Sequence, residues 1–405
     1  MRRAFAPGHP RICLDASMFR ERLSGIGYYS LFLMEALLAA MPEATLSVYD
    51  GFSCRPLDEA FLQAVRSRND EERSAPATLR QTIRRAILYA GFRTPGIGPA
   101  YRVAKHSRFR SAMKGVDLFH ALNFLPPCSG RFACLPTVHD LSVIRHPETH
   151  PAERVKWMGA RLSWIAAQPW LNTVSNFSAG EIADVLGVDP SRIGVTYPGL
   201  NPVYAPEPED GDAAVIAALG LHAERYFIAV GTIEPRKNLA VLLGAFAALP
   251  ASTRREHPLV VLGQPGWGKT KDERLQTFVD EGSVRILGYR NETTVAALYR
   301  NALTLLFPSI YEGFGMPTVE AMASGLRPVL SDVPVMREVG GSAADFVHPH
   351  DASGWRLALE ERIEGAQSRY ARPDSGAVAR AGHFGWDENA RRTADLYRRC
   401  LLDRR

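Results

Sequence analysis

The most constraining feature of the sequence is an alternation of short apolar strands and amphipathic helices that occurs twice along its 405 residues. Such alternation is typical of parallel sheets with crossover helices, so we predict an α/β protein with two parallel-sheet domains. The strand candidates are Arg11–Asp15, Leu46–Tyr49, Asp117–His120, Cys134–His139 and Leu171–Val174 in the first run, and Tyr226–Val230, Pro258–Leu262, Val284–Leu287, Leu303–Phe307, Pro328–Leu330 and Asp345–Val347 in the second.

The segment between the two runs, Asn201 to Asp212 (NPVYAPEPEDGD), is rich in proline and acid, which is typical of an interdomain linker. A chain of 405 residues also exceeds what one ordinary core accommodates. We therefore predict a first domain over residues 1–204, a second over 205–382, and a C-terminal segment, 383–405, that contains the amphipathic helix Trp386–Leu402.

Two short patterns predict where helices begin in the first domain. Gly25-Ile26-Gly27 precedes the periodic segment Tyr28–Ala40, and Ser178 to Glu181 (SAGE) has the form of a capping box. The second pattern predicts a helix start directly after the strand that ends at Val174.

Five dispersed cysteines and the absence of long apolar segments indicate the compartment. No apolar run reaches the roughly 20 residues that a membrane span needs, and the first residues lack the apolar centre of a secretory signal. The cysteines form no CxxC pair, so we expect free thiols in a reducing cytoplasm. They are Cys13, Cys54, Cys128, Cys134 and Cys400.

The net charge of +5 is concentrated between Arg73 and Val116, where no Asp or Glu occurs. Apolar residues interleave with the cations at near-helical spacing, so this stretch can attract an anionic membrane or an anionic acceptor; a solvated helix face is an equally good interpretation. No nucleic-acid-binding signature accompanies the charge, so nucleic acid is not expected. The cations are Arg73, Arg80, Arg84, Arg85, Arg93, Arg102, Lys105, Arg108, Arg110 and Lys114.

Gly263 to Thr270 (GQPGWGKT) fits the phosphate-binding loop of nucleotide hydrolases, G-x-x-x-x-G-K-[ST]. Pro265 has no backbone N–H to offer a phosphate, and the loop lies in mid-chain rather than after the first strand. A P-loop NTPase is therefore a distant alternative.

Two further patterns resemble metal sites. Asp210-Gly-Asp212 has the D-x-D spacing but no strand leads into it, and Pro147 makes a helical zinc face from His146 and His150 improbable. We predict no metal site.

A phosphate-binding region is predicted from two glycine-containing loops. Gly25 and Gly27 at a helix start let backbone approach a ligand closely, and helix N-termini attract anions. Gly231 to Asn238 (GTIEPRKN) directly follows a strand, where ligands of open α/β sheets bind. Arg236 and Lys237 in this loop are suited to a leaving diphosphate, since fixed cations stabilise its growing charge.

The segment Tyr311 to Gly325 (YEGFGMPTVEAMASG) carries two carboxylates on a strand–loop–helix edge. Glu312 lies on the glycine-rich loop and Glu320 about one turn inside the helix, a spacing suited to hydrogen bonds with vicinal hydroxyls of a sugar and a ribose. Backbone of Gly313 and Gly315 is available to phosphate. In the first domain, His139 at a strand end is a candidate for contact with a donor-sugar hydroxyl.

These motifs resemble the family-4 retaining glycosyltransferases of GT-B fold, also called group 1. E-G-F-G-M-P-x-x-E-A-M-A-S-G is similar to their E-x7-E signature, and G-T-I-E-P-R-K-N-L to their phosphate-binding loop. S-G-I-G-Y-Y, V-H-D, V-S-N-F-S and F-G-W-x-x-x-A also match. The resemblance covers nearly the whole chain, from Asp15 to Tyr397. It implies two Rossmann-like domains facing a central cleft, with the C-terminal helix crossing back onto the first domain.

The resemblance also implies roles for the candidate residues. Glu312 and His139 are the catalytic candidates, and Glu320 is expected to bind the ribose. Many relatives carry Arg directly after the glycine that corresponds to Gly231, where this chain has Thr232, so whether Arg236 replaces that charge stays open. The expected donor-binding residues are Gly25, Gly27, Arg236, Lys237, Gly313, Phe314, Gly315 and Glu320.

The family implies transfer of a hexose from a nucleotide diphosphate-sugar to a glycan or lipid-linked acceptor, without metal or cofactor. The loops most resemble enzymes that use GDP-mannose or GDP-deoxyhexoses in bacterial surface polysaccharide synthesis. Such enzymes act in the cytoplasm, with peripheral contact at the inner face of the plasma membrane. The alternatives are a UDP-sugar-dependent transferase, a nucleotide-sugar hydrolase or epimerase, and a non-catalytic partner protein with a degenerate site.

Overall fold

A computed structural model describes residues 9–20, 23, 25–74, 97–124, 132–268, 272–365 and 373–403. The first domain contains a seven-stranded sheet in the order β3-β2-β1-β4-β5-β6-β7, parallel except for the edge strand β3. The predicted alternation is confirmed, although β3 and β7 are too short to stand out in the sequence. The strands are β1 (Arg11–Asp15), β2 (Thr45–Tyr49), β3 (Cys54–Pro56), β4 (Leu118–Ala121), β5 (Ala133–Val138), β6 (Leu171–Thr173) and β7 (Ile193–Val195).

The second domain contains a six-stranded, fully parallel sheet in the order β10-β9-β8-β11-β12-β13. Strand order reverses between β8 and β11, so a crevice opens outside their carboxyl ends. Helices cover both faces of such a sheet, which is why β9 and β11 are buried along their whole length. The strands are β8 (Phe227–Val230), β9 (Leu259–Leu262), β10 (Val284–Gly288), β11 (Thr304–Phe307), β12 (Val329–Ser331) and β13 (Asp345–Val347).

Helices precede, connect or follow the strands in both domains. In the first domain they are α1 (Gly25–Ala40), α2 (Glu59–Ser74), α3 (Ile97–Ala112), α4 (Ser142–Arg145), α5 (Ala152–Gly159), α6 (Leu162–Ala166) and α7 (Asn176–Leu186). In the second they are α8 (Asp212–Ala218), α9 (Leu239–Ala247), α10 (Ala251–Glu256), α11 (Glu273–Asp280), α12 (Glu292–Asn301), α13 (Met316–Ala323), α14 (Pro334–Gly340), α15 (Ala352–Gly365) and α16 (Ser375–Ala381).

The last helix, α17 (Trp386–Leu402), crosses back and packs against α1 and the first sheet, as predicted. Its Tyr397 hydroxyl lies 2.7 Å from Nδ1 of His120, a buried residue of β4. Burial lowers the pKa of His120 to about 3, so this histidine is neutral in the core. Leu396 fills the space beside Gly194 of β7, where any Cβ would clash with it.

The predicted start of α7 directly after Val174 is confirmed, but its predicted capping residue needs a correction. Ser175, not Ser178, caps this helix: Ser175 has extended backbone and its Oγ accepts a hydrogen bond from the Ser178 N–H. The capping-box prediction was wrong because an equally suitable serine stands three residues earlier. The strand β5 also ends at Val138, so His139 lies just beyond it.

The basic stretch from Arg73 to Lys114 spans the end of α2 and all of α3. Residues 75–96, which contain Arg80, Arg84 and Arg85, lie outside the described residues. In the ranges that the structure describes, no helix is both long and apolar enough to cross a membrane.

Candidate active site

The site lies where the carboxyl ends of β8 and β11 meet, at the reversal of strand order in the second sheet. The loop after β8 carries Arg236 and Lys237, and the loop after β11 carries Glu312. Parallel strands end at the same sheet edge, so two motifs 75 residues apart come into contact.

Glu312 forms the centre of a buried charge cluster. Its Oε1 lies 2.5 Å from Lys237 Nζ and its Oε2 lies 2.8 Å from an Arg236 guanidinium nitrogen. Burial would raise the pKa of Glu312, but the charges of Arg236 and Lys237 outweigh burial and lower it to about 2. Glu312 is therefore a carboxylate at every physiological pH.

Arg236 is held by more than Glu312. Its guanidinium also donates to Glu234 Oε1 at 2.8 Å and to the Tyr311 carbonyl at 2.7 Å. Burial alone would lower the pKa of Arg236, but these acidic neighbours raise it, so the cation is permanent. Thr232 is exposed and contributes no charge. The site thus presents a preorganised cation beside a second one, Lys237, whose pKa burial lowers.

The glycine loop of the second domain touches the first domain directly. A Cβ at Gly313 would lie 1.9 Å from the backbone oxygen of His139, so only glycine permits this approach. Gly315 has φ +93° and precedes α13, with Pro317 in its first turn. Within the described residues, the N–H groups of Phe314 and Gly315 donate to no protein acceptor. They are therefore available to an anionic ligand at a helix N-terminus.

Phe314 differs from its neighbours because its side chain packs among aromatic rings and makes no polar contact with a ligand site. Its buried ring packs against Tyr197 and Phe384, at centroid distances of 5.9 and 5.3 Å. Any contribution of Phe314 to ligand binding therefore comes from its backbone N–H.

His139 faces the loop of Gly313 and is oriented by two neighbours. Its Nε2 lies 2.7 Å from the Leu122 carbonyl, and the ring meets Tyr29 edge-on at 5.0 Å. A carbonyl only accepts, so Nε2 carries the proton and Nδ1 is the free acceptor of the neutral ring. Burial lowers the pKa of His139, which favours this neutral form.

Gly25 and Gly27 lie in the first turn of α1, beside a contact between the two domains. The neighbouring Tyr28 hydroxyl lies 2.6 Å from the hydroxyl of Tyr289, a residue of the second domain. Among the described residues, a Cβ at Gly25 would meet nothing within 4 Å, whereas a Cβ at Gly27 would lie 2.9 Å from the Leu23 side chain.

Glu320 lies in different surroundings from Glu312, one turn inside α13. Its carboxyl oxygen accepts a hydrogen bond from the Tyr299 hydroxyl at 3.2 Å. Burial and the negative charge of Glu292 raise the pKa of Glu320 to about 8. The E-x7-E pair therefore contains one ionised and one protonated carboxyl at neutral pH.

The loop that resembled a phosphate-binding P-loop is occupied by protein contacts. The N–H groups of Gly263 and Gly266 donate to Gly288 and Ile233, and Trp267 donates its indole N–H across the cleft to Thr149. Lys269 and Thr270 lie outside the described residues.

The two metal-like patterns have other roles in the structure. Asp212 begins α8 and accepts two hydrogen bonds from the Arg300 guanidinium, at 2.6 and 2.7 Å. His146 pairs with Glu148 and His150 contacts Ser142. Among the described residues, no group of three or more His, Cys, Asp or Glu is arranged to hold a metal ion.

The sequence predicted no interdomain contact for several residues that the structure brings to this cleft. Ser175, Ser178 and Tyr311 contact the opposite domain, and Glu338 bonds the start of α7. The V-S-N-F-S segment matches the family and its last serine begins the predicted capping box, but nothing in its composition indicates an interdomain contact.

Comparison with known proteins agrees with this geometry. The family model of glycosyl transferases group 1 matches residues 216–371. The chain is 31% identical to the O-antigen chain mannosyltransferase B of Escherichia coli over 96% of this chain and 99% of that protein. The fold is similar to sucrose-phosphate synthase from Thermosynechococcus elongatus (TM-score 0.66, 19% identity, 97% and 100% coverage) and to Anabaena HepE in complex with UDP and glucose (TM-score 0.64, 17% identity, 96% and 100% coverage).

Two facing Rossmann-like domains of the GT-B type define a glycosyltransferase fold, and the predicted resemblance is confirmed. The chain belongs to the group 1 glycosyltransferases.

We predict that Glu320→Gln changes the pH dependence of stability. Between pH 4.5 and 8 a carboxyl of the unfolded chain ionises while folded Glu320 stays protonated, so wild-type stability falls as pH rises through this window. Glutamine removes this effect, so the variant should gain stability relative to wild type from pH 5 to pH 8, on the order of 1–4 kcal/mol. Urea denaturation at both pH values measures it. The exposed Glu361→Gln is the control, and an identical pH trend in both variants would contradict the prediction.

Proposed function

We propose that this enzyme is a retaining, metal-independent hexosyltransferase that uses a GDP-sugar, with mannose or a deoxyhexose such as rhamnose as the transferred residue. Its acceptor is a glycan or a lipid-linked glycan of bacterial surface polysaccharide synthesis. The observation that carries the proposal is the ionised Glu312 between Arg236 and Lys237, in a cleft to which both domains contribute.

The preference for mannose rests on likeness along the whole chain. One relative that matches it almost end to end is an O-antigen chain mannosyltransferase, and another match is the Salmonella O-antigen chain mannosyltransferase RfbU, at 27% identity over 58% of this chain. A UDP-sugar donor is the second candidate, favoured by the structural likeness to HepE in complex with UDP and glucose.

The cluster suits departure of a nucleoside diphosphate. Negative charge develops on the leaving phosphate as the glycosidic bond breaks, and preorganised cations stabilise that charge most in the transition state. Lys237 forms an ion pair with Glu312 in the free enzyme. A bound diphosphate therefore competes with Glu312 for the Lys237 ammonium group. The N–H groups of Phe314 and Gly315, which have no acceptor in the described part of the chain, add donors beside α13.

Glu312 and His139 are assigned to the donor sugar. A carboxylate that stays ionised accepts hydrogen bonds from sugar hydroxyls and favours the positive charge that develops at the reacting carbon. The free Nδ1 of His139 is suited to accept from another hydroxyl. We propose front-face transfer with retained configuration, in which the acceptor attacks from the side that the diphosphate leaves.

The donor is identified by a thermal-stabilisation screen of nucleotide-sugars. A ligand at 100 times its Kd stabilises the folded protein by about 2.7 kcal/mol. Detection of a glycosylated acceptor then separates a transferase from a hydrolase or epimerase, which would release free sugar or an isomerised nucleotide-sugar.

We predict that Glu312→Gln loses more than tenfold in turnover, about 1.4 kcal/mol of transition-state stabilisation. Donor-diphosphate affinity should stay equal or rise, because Lys237 no longer has Glu312 as a partner. Steady-state kinetics and calorimetry with GDP measure the two quantities. Glu234→Gln, which also removes a carboxylate from Arg236, is the matched control and should retain more activity. Turnover within tenfold of wild type for Glu312→Gln would refute the assignment.

We predict that Lys237→Met weakens binding of nucleoside diphosphates by about 1.5–3 kcal/mol, the contribution of a charge-assisted hydrogen bond. Methionine keeps the aliphatic stem and removes the charge. Guanosine affinity should not change, and Arg236→Met should behave similarly. Equal losses for guanosine and GDP in calorimetry would show that neither cation binds phosphate.

We predict that the basic stretch Arg73–Lys114 binds vesicles that contain anionic lipid and releases them as salt rises. Each cation near an anionic surface contributes about 1 kcal/mol, and the attraction decays within a Debye length. The triple substitution Arg80→Glu, Arg84→Glu and Arg85→Glu should reduce sedimentation with these vesicles while GDP binding persists.

The control for this experiment carries the same charge change on the second domain, at Arg225, Arg255 and Arg337. It should sediment like the wild type if the stretch itself binds the surface. Equal sedimentation of the wild-type protein with anionic and neutral vesicles at low salt would rule out the membrane role.

A further inference from the structure

Two serines at the start of α7 in the first domain donate hydrogen bonds to a backbone carbonyl of the second domain. Ser175 Oγ donates to the Gly313 carbonyl at 2.6 Å, and Ser178 Oγ donates to the same oxygen at 3.1 Å. Both serines are almost fully buried, at 0% and 1% exposure. The Ser178 hydroxyl also lies 3.4 Å from the His139 carbonyl of its own domain, and the Gly313 oxygen is the nearer acceptor. A buried hydroxyl without a partner is costly, so the Ser175 contact in particular favours apposition of the two domains at this point.

A second contact attaches the same turn to the second domain. Glu338 on α14 accepts hydrogen bonds from the N–H groups of Asn176 and Phe177, at 2.7 and 2.8 Å. The Tyr197 hydroxyl donates to the same carboxylate at 2.8 Å. A carboxylate at a helix N-terminus is favourable, so this ion strengthens the approach of α7 to the second domain.

The bonded carbonyl belongs to the Gly313–Phe314 peptide, one residue after Glu312. In a trans peptide the N–H points opposite to the C=O, so fixing the Gly313 oxygen also fixes the direction of the Phe314 N–H away from α7. That N–H has no acceptor among the residues that the structure describes. Hydroxyls of the first domain thereby determine the orientation of a donor group of the second.

We propose that Ser175 and Ser178 are positioning residues that complete the nucleotide-sugar site only when the domains close. With the domains apart, the Gly313 peptide loses both hydroxyl donors and the loop that carries Glu312 loses its orientation. Closure therefore couples acceptor-domain approach to donor binding. This inference rests on the proposed role of the Glu312–Gly315 loop in binding the donor.

Ser178→Ala is the sharpest test, because the backbone N–H of Ser178, not its hydroxyl, forms the helix cap with Ser175. Loss of one neutral hydrogen bond should lower kcat/KM for the donor about three- to tenfold. The acceptor KM should not change, and Ser178→Thr should restore the donor value because it keeps a hydroxyl. If Ser178→Ala does not fold, Ser178→Cys replaces it. A thiol is a weak donor, so the same loss in kcat/KM is expected.

Domain closure can also be measured directly, and a variant that only lost stability would not change it. Small-angle scattering should show that GDP contracts the wild-type protein more than Ser178→Ala. The double variant Ser178→Ala/Glu312→Gln should be non-additive in kcat/KM, since the serine acts through the loop of Glu312.

The matched control is Ser283→Ala, which removes another fully buried serine hydroxyl that donates to a carbonyl, that of Phe278, inside the second domain. Ser283→Ala should leave the donor KM and the GDP-induced contraction unchanged. Identical behaviour of Ser178→Ala and Ser283→Ala, or additivity with Glu312→Gln, would overturn the inference. If Glu312→Gln kept the turnover of the wild type, the proposed function would instead be overturned.

Discussion

The ion pairs around Glu312 are the interaction on which the site depends. A buried carboxylate is tolerated only with partners, and here Arg236 and Lys237 supply them from a loop that follows a different strand. The parallel sheet makes this possible, because β8 and β11 end side by side at the reversal of strand order. Charge that is already desolvated and oriented needs little reorganisation when a diphosphate departs.

The two glutamates of the E-x7-E motif have opposite pKa shifts because their neighbouring residues differ. Glu312 is kept ionised by two cations, with a pKa of about 2, whereas burial beside Glu292 raises the pKa of Glu320 to about 8. One group is suited to a site where positive charge develops, and the other to hydrogen bonding with a neutral diol.

Domain apposition depends on small residues as much as on charges. Gly313 lets two backbones meet where a methyl group would clash with His139. Ser175 and Glu338 then bond across the same contact, and α17 ties the end of the chain back to the first sheet through Tyr397. The cleft is therefore bounded by specific polar contacts rather than by apolar packing alone.

The sequence by itself determined the α/β class and the loops that carry Glu312, Arg236 and Lys237, because strand alternation and glycine-rich loops are local patterns. The crossing of the C-terminal helix was implied by the family resemblance. It missed β3 and β7, three-residue strands whose pairing is decided by neighbouring strands. Only the tertiary structure decided that Ser175 caps α7 while holding Gly313, and that Glu320 is protonated. These properties depend on groups far apart in the chain, whose distances and burial no local pattern contains.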